Sequence, residues 1–213
     1  MDKRGMLFVI SGPAGTGKGT IVKKLMEDHD NICVSVSCTT RAPRPGEENG
    51  VHYHFITEEK FSEMVENDMF YEWAHVHLNR YGTPKDKVAE MLDQGKNVIL
   101  EIDVQGGMQV MQKNPEVVGI FIMPPSGENL EARLRGRNTE TEEAIRVRMN
   151  NAIKEMEMAK QYPYAVIHED WNVNPNALQD ACDQVLSIMN ASKNRSLNHN
   201  AFIDSVIAAM SKN

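Results

Sequence analysis

Five short β-rich runs recur along the chain: "MLFVI" from residue 6, "ICVSVS" from 32, "NVILEID" from 97, "VVGIFIM" from 117 and "YAVI" from 164. Each has the length and composition of a strand. Between several of them, apolar positions return at helical spacing. From Thr83 onward, Pro84 suits a first helical turn, Val88, Met91 and Leu92 share a face, and Gly95 can end the helix. From about Pro175, Leu178, Ala181, Cys182, Val185 and Met189 form one apolar stripe. After the polar connector "ASKNRSLNHN", a last amphipathic helix is predicted from about Phe202 to Met210. Strands alternating with helices predict an α/β fold, a parallel sheet flanked by helices and joined by right-handed crossovers.

Two stretches break the rhythm. Residues 38–82 hold "TTRAPRPGEENG" and then short strand-like pieces, too much chain for one crossover. Residues 126–150 carry arginines around "RNTETEE", where Thr139 and Glu142 have capping-box spacing. The expected organisation is a single domain. Its core is 1–37, 83–125 and 151–190, with an insertion at 38–82, a lid at 126–150 and a C-terminal extension at 191–213.

Composition narrows the classes. For 213 residues, 41% hydrophobic and 25% charged content is that of an ordinary globular chain with a sizeable core. A net charge of −7 argues against a nucleic-acid partner. The longest apolar run falls far short of a membrane span, and no signal-peptide pattern opens the chain, so no membrane partner and a cytoplasmic location are expected. Cys33, Cys38 and Cys182 form no CxxC pair, which fits buried small hydrophobes in a reducing compartment.

The chemistry begins at "GPAGTGKGT": Gly12, Pro13, Ala14, Gly15, Thr16, Gly17, Lys18, Gly19 and Thr20. Four residues separate Gly12 from Gly17-Lys18, which lets backbone N–H groups curl round phosphate oxygens without Cβ interference. The helix that follows aims its positive end at the same point, and Lys18 adds a full charge. A nucleotide phosphate site is predicted. The usual pattern has Ser or Thr directly after the lysine; here Gly19 takes that place and the hydroxyl arrives at Thr20.

Five further stretches, "SCTTRAPRPGEENGVHYHF" (37–55), "FYEWA" (70–74), "RYGTP" (80–84), "LEIDVQG" (100–106) and "RLRGRNTETEE" (133–143), together resemble guanylate kinases of bacterial type, in order and spacing, from residue 6 to about 190. The resemblance implies transfer of the γ-phosphoryl group of ATP to GMP with Mg²⁺ as cofactor. It also implies a phosphate-loop sheet carrying a GMP-binding insertion and an arginine-bearing lid. ATP would take the loop residues and Arg133; the GMP phosphate would take Arg41, Arg44, Tyr53 and Tyr81. Rigid guanidinium forks and phenol hydroxyls suit a phosphate monoester, although arginines in a Pro-rich loop are also ordinary surface residues.

Guanine offers two donors beside one acceptor, so a carboxylate and a hydroxyl complement its edge. Glu72 and Ser37, with Thr83 nearby, match the family positions that do this; Thr83 reads equally as a helix N-cap. Glu101 and Asp103 end a strand, and alternation sets both on one side. Asp103 with Thr20 suits the water shell of Mg²⁺, and Glu101 matches a substrate-side acid; a salt bridge is the plain alternative for each. By resemblance, Arg137 and Arg148 reach the transferring group, whereas Arg146 reads as a solvated helix charge.

Three places depart from the family pattern. Asn138 stands where glycine is common, His52 where aspartate is common, and His168-Glu169 where an Asn-Asp pair serves the adenine pocket. His52-x-His54 and His75-x-His77 have strand-pair metal spacing. No 2′-hydroxyl reader is evident, so dGMP is an expected alternative acceptor; monomer and homo-oligomer both stay open. Intact Lys18, Asp103, Arg137 and Arg148 argue against a scaffold module that has lost catalysis.

Overall fold

A computed structural model describes residues 4–76, 78–136 and 141–211. Its centre is a five-stranded parallel sheet with β1 (Leu7–Ser11) in the middle. On one side lie β7 (Asn97–Glu101) and then β2 (Ile32–Val34); on the other lie β8 (Val118–Met123) and β9 (Tyr164–Ile167). Every residue of β1 is buried. Phe8 and Ile10 pack against Ile21, Val22 and Leu25 of α1 (Lys18–Asp28) and Val185 and Met189 of α7 (Ala177–Ser192). Leu7 and Val9 face the other way, onto Val88 and Leu92 of α3 (Lys85–Asp93) and Val110 of α4 (Val104–Lys113). Burial on both faces is why these strands read as unbroken apolar runs. Each such side chain contributes about 1.5–3 kcal/mol relative to exposure.

A second sheet has the order β4 (His54–Phe55), β3 (Cys38–Thr39), β6 (Asn79–Pro84), β5 (Phe70–Val76). α2 (Glu58–Glu66) covers it, with Phe61 and Met64 packed on Cys38 and Phe70. The Thr57 hydroxyl caps α2 by accepting from the Lys60 N–H at 3.2 Å. A helix pair, α5 (Gly127–Arg135) and α6 (Glu142–Met158), closes on Leu130, Leu134 and Ala152.

Several local expectations change. The strand expected from Ile32 stops at Val34, and the chain leaves for the second sheet at Cys38. Pro84 is the N-cap of α3 and not part of its first turn, while Thr83 remains in β6. The reason is steric: a residue before proline is held extended, so Thr83 caps nothing. α6 begins later than the capping-box spacing implied. Its N-cap is Thr141, whose hydroxyl accepts from the Ala144 N–H at 3.3 Å. Thr139 lies outside the described residues. α6 then runs unbroken through residue 150 to Met158.

All three cysteines are free, two buried and Cys33 half-buried. α8 (Asn200–Met210) has the expected extent but buries no side chain. Among the described residues, no helix is long and apolar enough to cross a membrane.

Candidate active site

The phosphate loop joins the C-terminal end of β1 to the first turn of α1. Gly17 is the α1 N-cap, in a left-handed conformation (φ 88°) and without a side-chain cap. No acidic residue occupies the first turn. The opening N–H groups and the positive end of the helix are therefore directed at the loop. Gly12 is equally constrained: at φ 144° a Cβ would lie 2.1 Å from the Ile122 carbonyl oxygen. The Thr16 hydroxyl, fully buried, donates to the Pro13 carbonyl at 2.9 Å and braces the turn from within. Lys18 Nζ lies across the loop, donating to the carbonyls of Gly12 (2.5 Å) and Pro13 (3.0 Å). Ala14 and Thr20 are exposed. A Cβ on Gly19 would touch Glu101 Oε1 at 3.4 Å, so the β7 tip approaches α1 closely.

The second sheet supplies a cationic and phenolic cluster. Arg41 Nε donates to the Tyr81 hydroxyl at 3.3 Å, and its guanidinium lies 5.5 Å from the Tyr53 ring centre. Tyr53 and Tyr81 meet edge to face at 5.7 Å. Three of the four expected phosphate ligands thus converge. Arg44 is exposed in the same loop, with its backbone N–H on Glu47 at 2.8 Å. Glu47, which the sequence reading passed over, also takes Arg41 Nη2 at 2.9 Å. These donors hold the Glu47 carboxyl down to about 2, with the Arg41 hydrogen bond the largest cause. Arg80 instead builds the insertion, donating to Glu58 and to Ser62 Oγ and lying 4.5 Å from the Phe61 ring centre.

Glu72 is buried on β5 and accepts from the Thr83 hydroxyl at 2.7 Å. Of the two readings of Thr83, the helix N-cap is excluded, because Pro84 takes that position. Burial pushes the Glu72 carboxyl above the usual carboxylate range; the Thr83 bond pulls it back and nearby Asp103 adds to the rise. Gly106 of α4 makes room for this carboxylate, since a Cβ there would lie 3.2 Å from Glu72 Oε2. Ser37 sits just before β3, its carbonyl accepting from the His54 N–H at 2.8 Å.

β7 ends at Glu101, so strand alternation does not extend to Asp103. Asp103 is instead the N-cap of α4, with Oδ1 accepting from the Gly106 N–H at 2.8 Å. Glu101 is exposed at the strand tip, within electrostatic reach of Lys18. Arg148 is half-buried on α6, and Arg146 is exposed and pairs with Glu143 at 2.9 Å, as its spacing implied. Arg137 and Asn138 lie outside the described residues. Arg133 directs its guanidinium at backbone: the carbonyls of Glu169 (2.7 Å), His168 (3.0 Å) and Thr16 (3.4 Å).

Two other residues escaped the sequence reading. Glu155, half-buried, lies within electrostatic reach of Asp103 and Lys18. With Asn151 and Asp103 it lines a cavity of about 480 Å³. Arg148, Asn151 and Glu155 recur at helical spacing, the signal that would have placed them on one α6 face. As for the histidines, the described residues contain no group of three or more His, Cys, Asp and Glu able to hold a metal. His52 Nδ1 accepts from the Glu48 N–H at 3.1 Å, and His77 lies outside the described residues.

Comparison with known proteins places the chain in a family. The guanylate kinase family model matches residues 4–192. A guanylate kinase of Clostridium perfringens is 49% identical over 91% of this chain and 87% of its own. One from Clostridioides difficile is 45% identical over 91% of each chain. A crystal structure of guanylate kinase from Anaplasma phagocytophilum superimposes with a TM-score of 0.67 at 33% identity, covering 91% of this chain and 88% of the other.

Proposed function

The chain belongs to the guanylate kinase family and transfers a phosphoryl group from ATP to GMP, and on that premise we propose how its own residues divide the work. The observation that carries the base assignment is the buried Glu72 with its Thr83 partner. An ionised Glu72 accepts both guanine donors, and Ser37 with Thr83 complements the rest of the edge. Adenine brings no N1 proton and would leave a desolvated carboxylate underpaired.

Arg41, Arg44, Tyr53 and Tyr81 hold the GMP phosphate, and Glu101 lies on the substrate side. The loop from Gly12 to Thr20, with Lys18, holds the ATP phosphates. Arg137 and Arg148 neutralise the migrating group, and Arg133 serves the ATP side by bracing the loop. The second pKa of a phosphate monoester is about 6, so the acceptor oxygen is already ionised at neutral pH and needs no general base. What remains is alignment and charge neutralisation.

Asp103 and Thr20 are the residues for Mg²⁺. The fit rests on their chemistry: both offer hard oxygens, and one Asp103 oxygen is committed to the α4 cap. That sparse set suits an ion that takes its other ligands from water and phosphate oxygens. When bound, Mg²⁺ offsets charge on the ATP phosphates. Closure of residues 38–82 and 126–150 over both nucleotides would exclude water and assemble the arginines. Compaction in solution scattering with a bisubstrate analogue tests this closure.

The base assignment is tested by ADP formation with AMP, GMP, CMP, UMP and their deoxy forms. GMP is expected to lead, with dGMP accepted. AMP outperforming GMP would remove Glu72 from its role.

A further inference from the structure

The Thr16 carbonyl accepts from two side chains that come from distant parts of the chain. His168 Nδ1 lies 2.8 Å away and Arg133 Nη1 3.4 Å away. A carbonyl has no proton to give, so Nδ1 carries the hydrogen. The sheet sets the position of His168, because its backbone N–H donates to the Met123 carbonyl at 2.9 Å and continues the β8–β9 pairing. Its ring then lies directly against Gly17, where a Cβ would come within 2.5 Å of Nδ1.

Thr16 C=O and Gly17 N–H belong to one trans peptide plane and point in opposite directions. Gly17 has φ 88° and no Cβ, so that plane is cheap to flip. A flip would turn a carbonyl oxygen into an anion-binding concavity and remove one of its N–H donors.

We infer that His168 is a positioning residue which, together with Arg133, locks the Thr16–Gly17 peptide so that the Gly17 N–H stays available to the donor phosphates. This rests on the reading of that loop as the ATP phosphate site. Histidine stands where the family pattern has asparagine, and both side chains carry an N–H donor at the δ position. A leucine fills the space and donates nothing.

The test uses the full chain and its His168→Leu and His168→Asn variants, with ATP and GMP saturation measured separately. His168→Leu should raise KM for ATP about threefold to tenfold, the range one hydrogen bond supports, with KM for GMP unmoved. His168→Asn should recover most of that loss. Equal shifts in both KM values, an unmoved KM for ATP, or an asparagine no better than leucine would each overturn the lock. Should the leucine variant fail to fold, nitrogen NMR of the unmodified protein decides. The neutral imidazole should be the Nδ1–H tautomer, and an Nε2–H tautomer would refute the inference. Failure of the underlying site reading looks different, because Lys18→Ala would then leave ADP formation intact whatever His168 does.

Discussion

The Thr83 hydroxyl donates to the Glu72 carboxylate at 2.7 Å across eleven positions of sequence, and both side chains are buried. The proline that follows Thr83 keeps it extended, so its hydroxyl faces the neighbouring strand and not a helix end. On the proposed assignment, the pair would tie base recognition to a carboxyl whose pKa is raised by burial.

Replacing Glu72 by Gln is expected to lower kcat/KM for GMP about tenfold to a hundredfold, the cost of leaving charge-assisted bonds unmade. Stability should respond in the opposite sense. Because burial lifts the folded-state value above 4.5, the native protein binds this proton more tightly than the unfolded chain. That contribution is complete below 4.5 and is lost as pH rises through the folded value. Denaturant titrations of the ligand-free protein across this window should show Glu72→Gln gaining on the wild type as pH rises.

Lys18→Met should reduce turnover by about a hundredfold to a thousandfold, as loss of one positioned charge-stabilising donor does elsewhere. The melting temperature should fall modestly, because the Gly12 and Pro13 carbonyls lose their Nζ donor. Coupled ADP assays and calorimetry on the same preparations check both halves.

The arginines of the insertion should separate by readout. Arg41→Met is expected to raise KM for GMP about tenfold to a hundredfold and leave KM for ATP unchanged. Arg80→Met should cost about 2 kcal/mol of stability, because Glu58 and Ser62 lose their common donor, with KM for GMP unchanged. An unmoved KM for GMP in the first variant, or a GMP effect in the second, would reverse the assignment.

On the proposed assignment, Glu47 would compete with the GMP phosphate for the Arg41 fork. Its pKa is lowered from 4.5 to about 2, so its contribution to stability is present above 4.5 and fades as pH falls through about 2. Glu47→Gln should erase that acid-side component and lower KM for GMP, since the cluster loses one negative charge. Acid unfolding curves and GMP saturation at neutral pH measure the two effects.

The sheet was legible because Phe8, Ile10, Leu7 and Val9 are buried on both faces and leave an unbroken apolar run. The phosphate loop was legible because backbone geometry dictates its glycine spacing. Strands of two residues, as at Cys38–Thr39 and His54–Phe55, are too short to show a period, so the insertion's sheet was not foreseen in detail. Arg133 was expected on the ATP side and His168 was read only as a departure from the family pattern, yet both side chains reach the Thr16 carbonyl from far along the chain. No local pattern encodes that meeting. Glu155 was readable in principle, about two turns beyond Arg148 on α6, but half-burial is what distinguishes it from the other α6 carboxylates.

Gly106 and Asp103 occupy one turn of α4, and the first makes space for Glu72 while the second caps the helix beside the phosphate loop. Three helical residues span about 4.5 Å of axis. On the proposed assignment, base edge and phosphoryl path would be gauged against one short, stiff scale. A nucleotide whose base seats against Glu72 has its reach toward the donor fixed in advance, so selecting the base and aiming the phosphate become a single act of measurement.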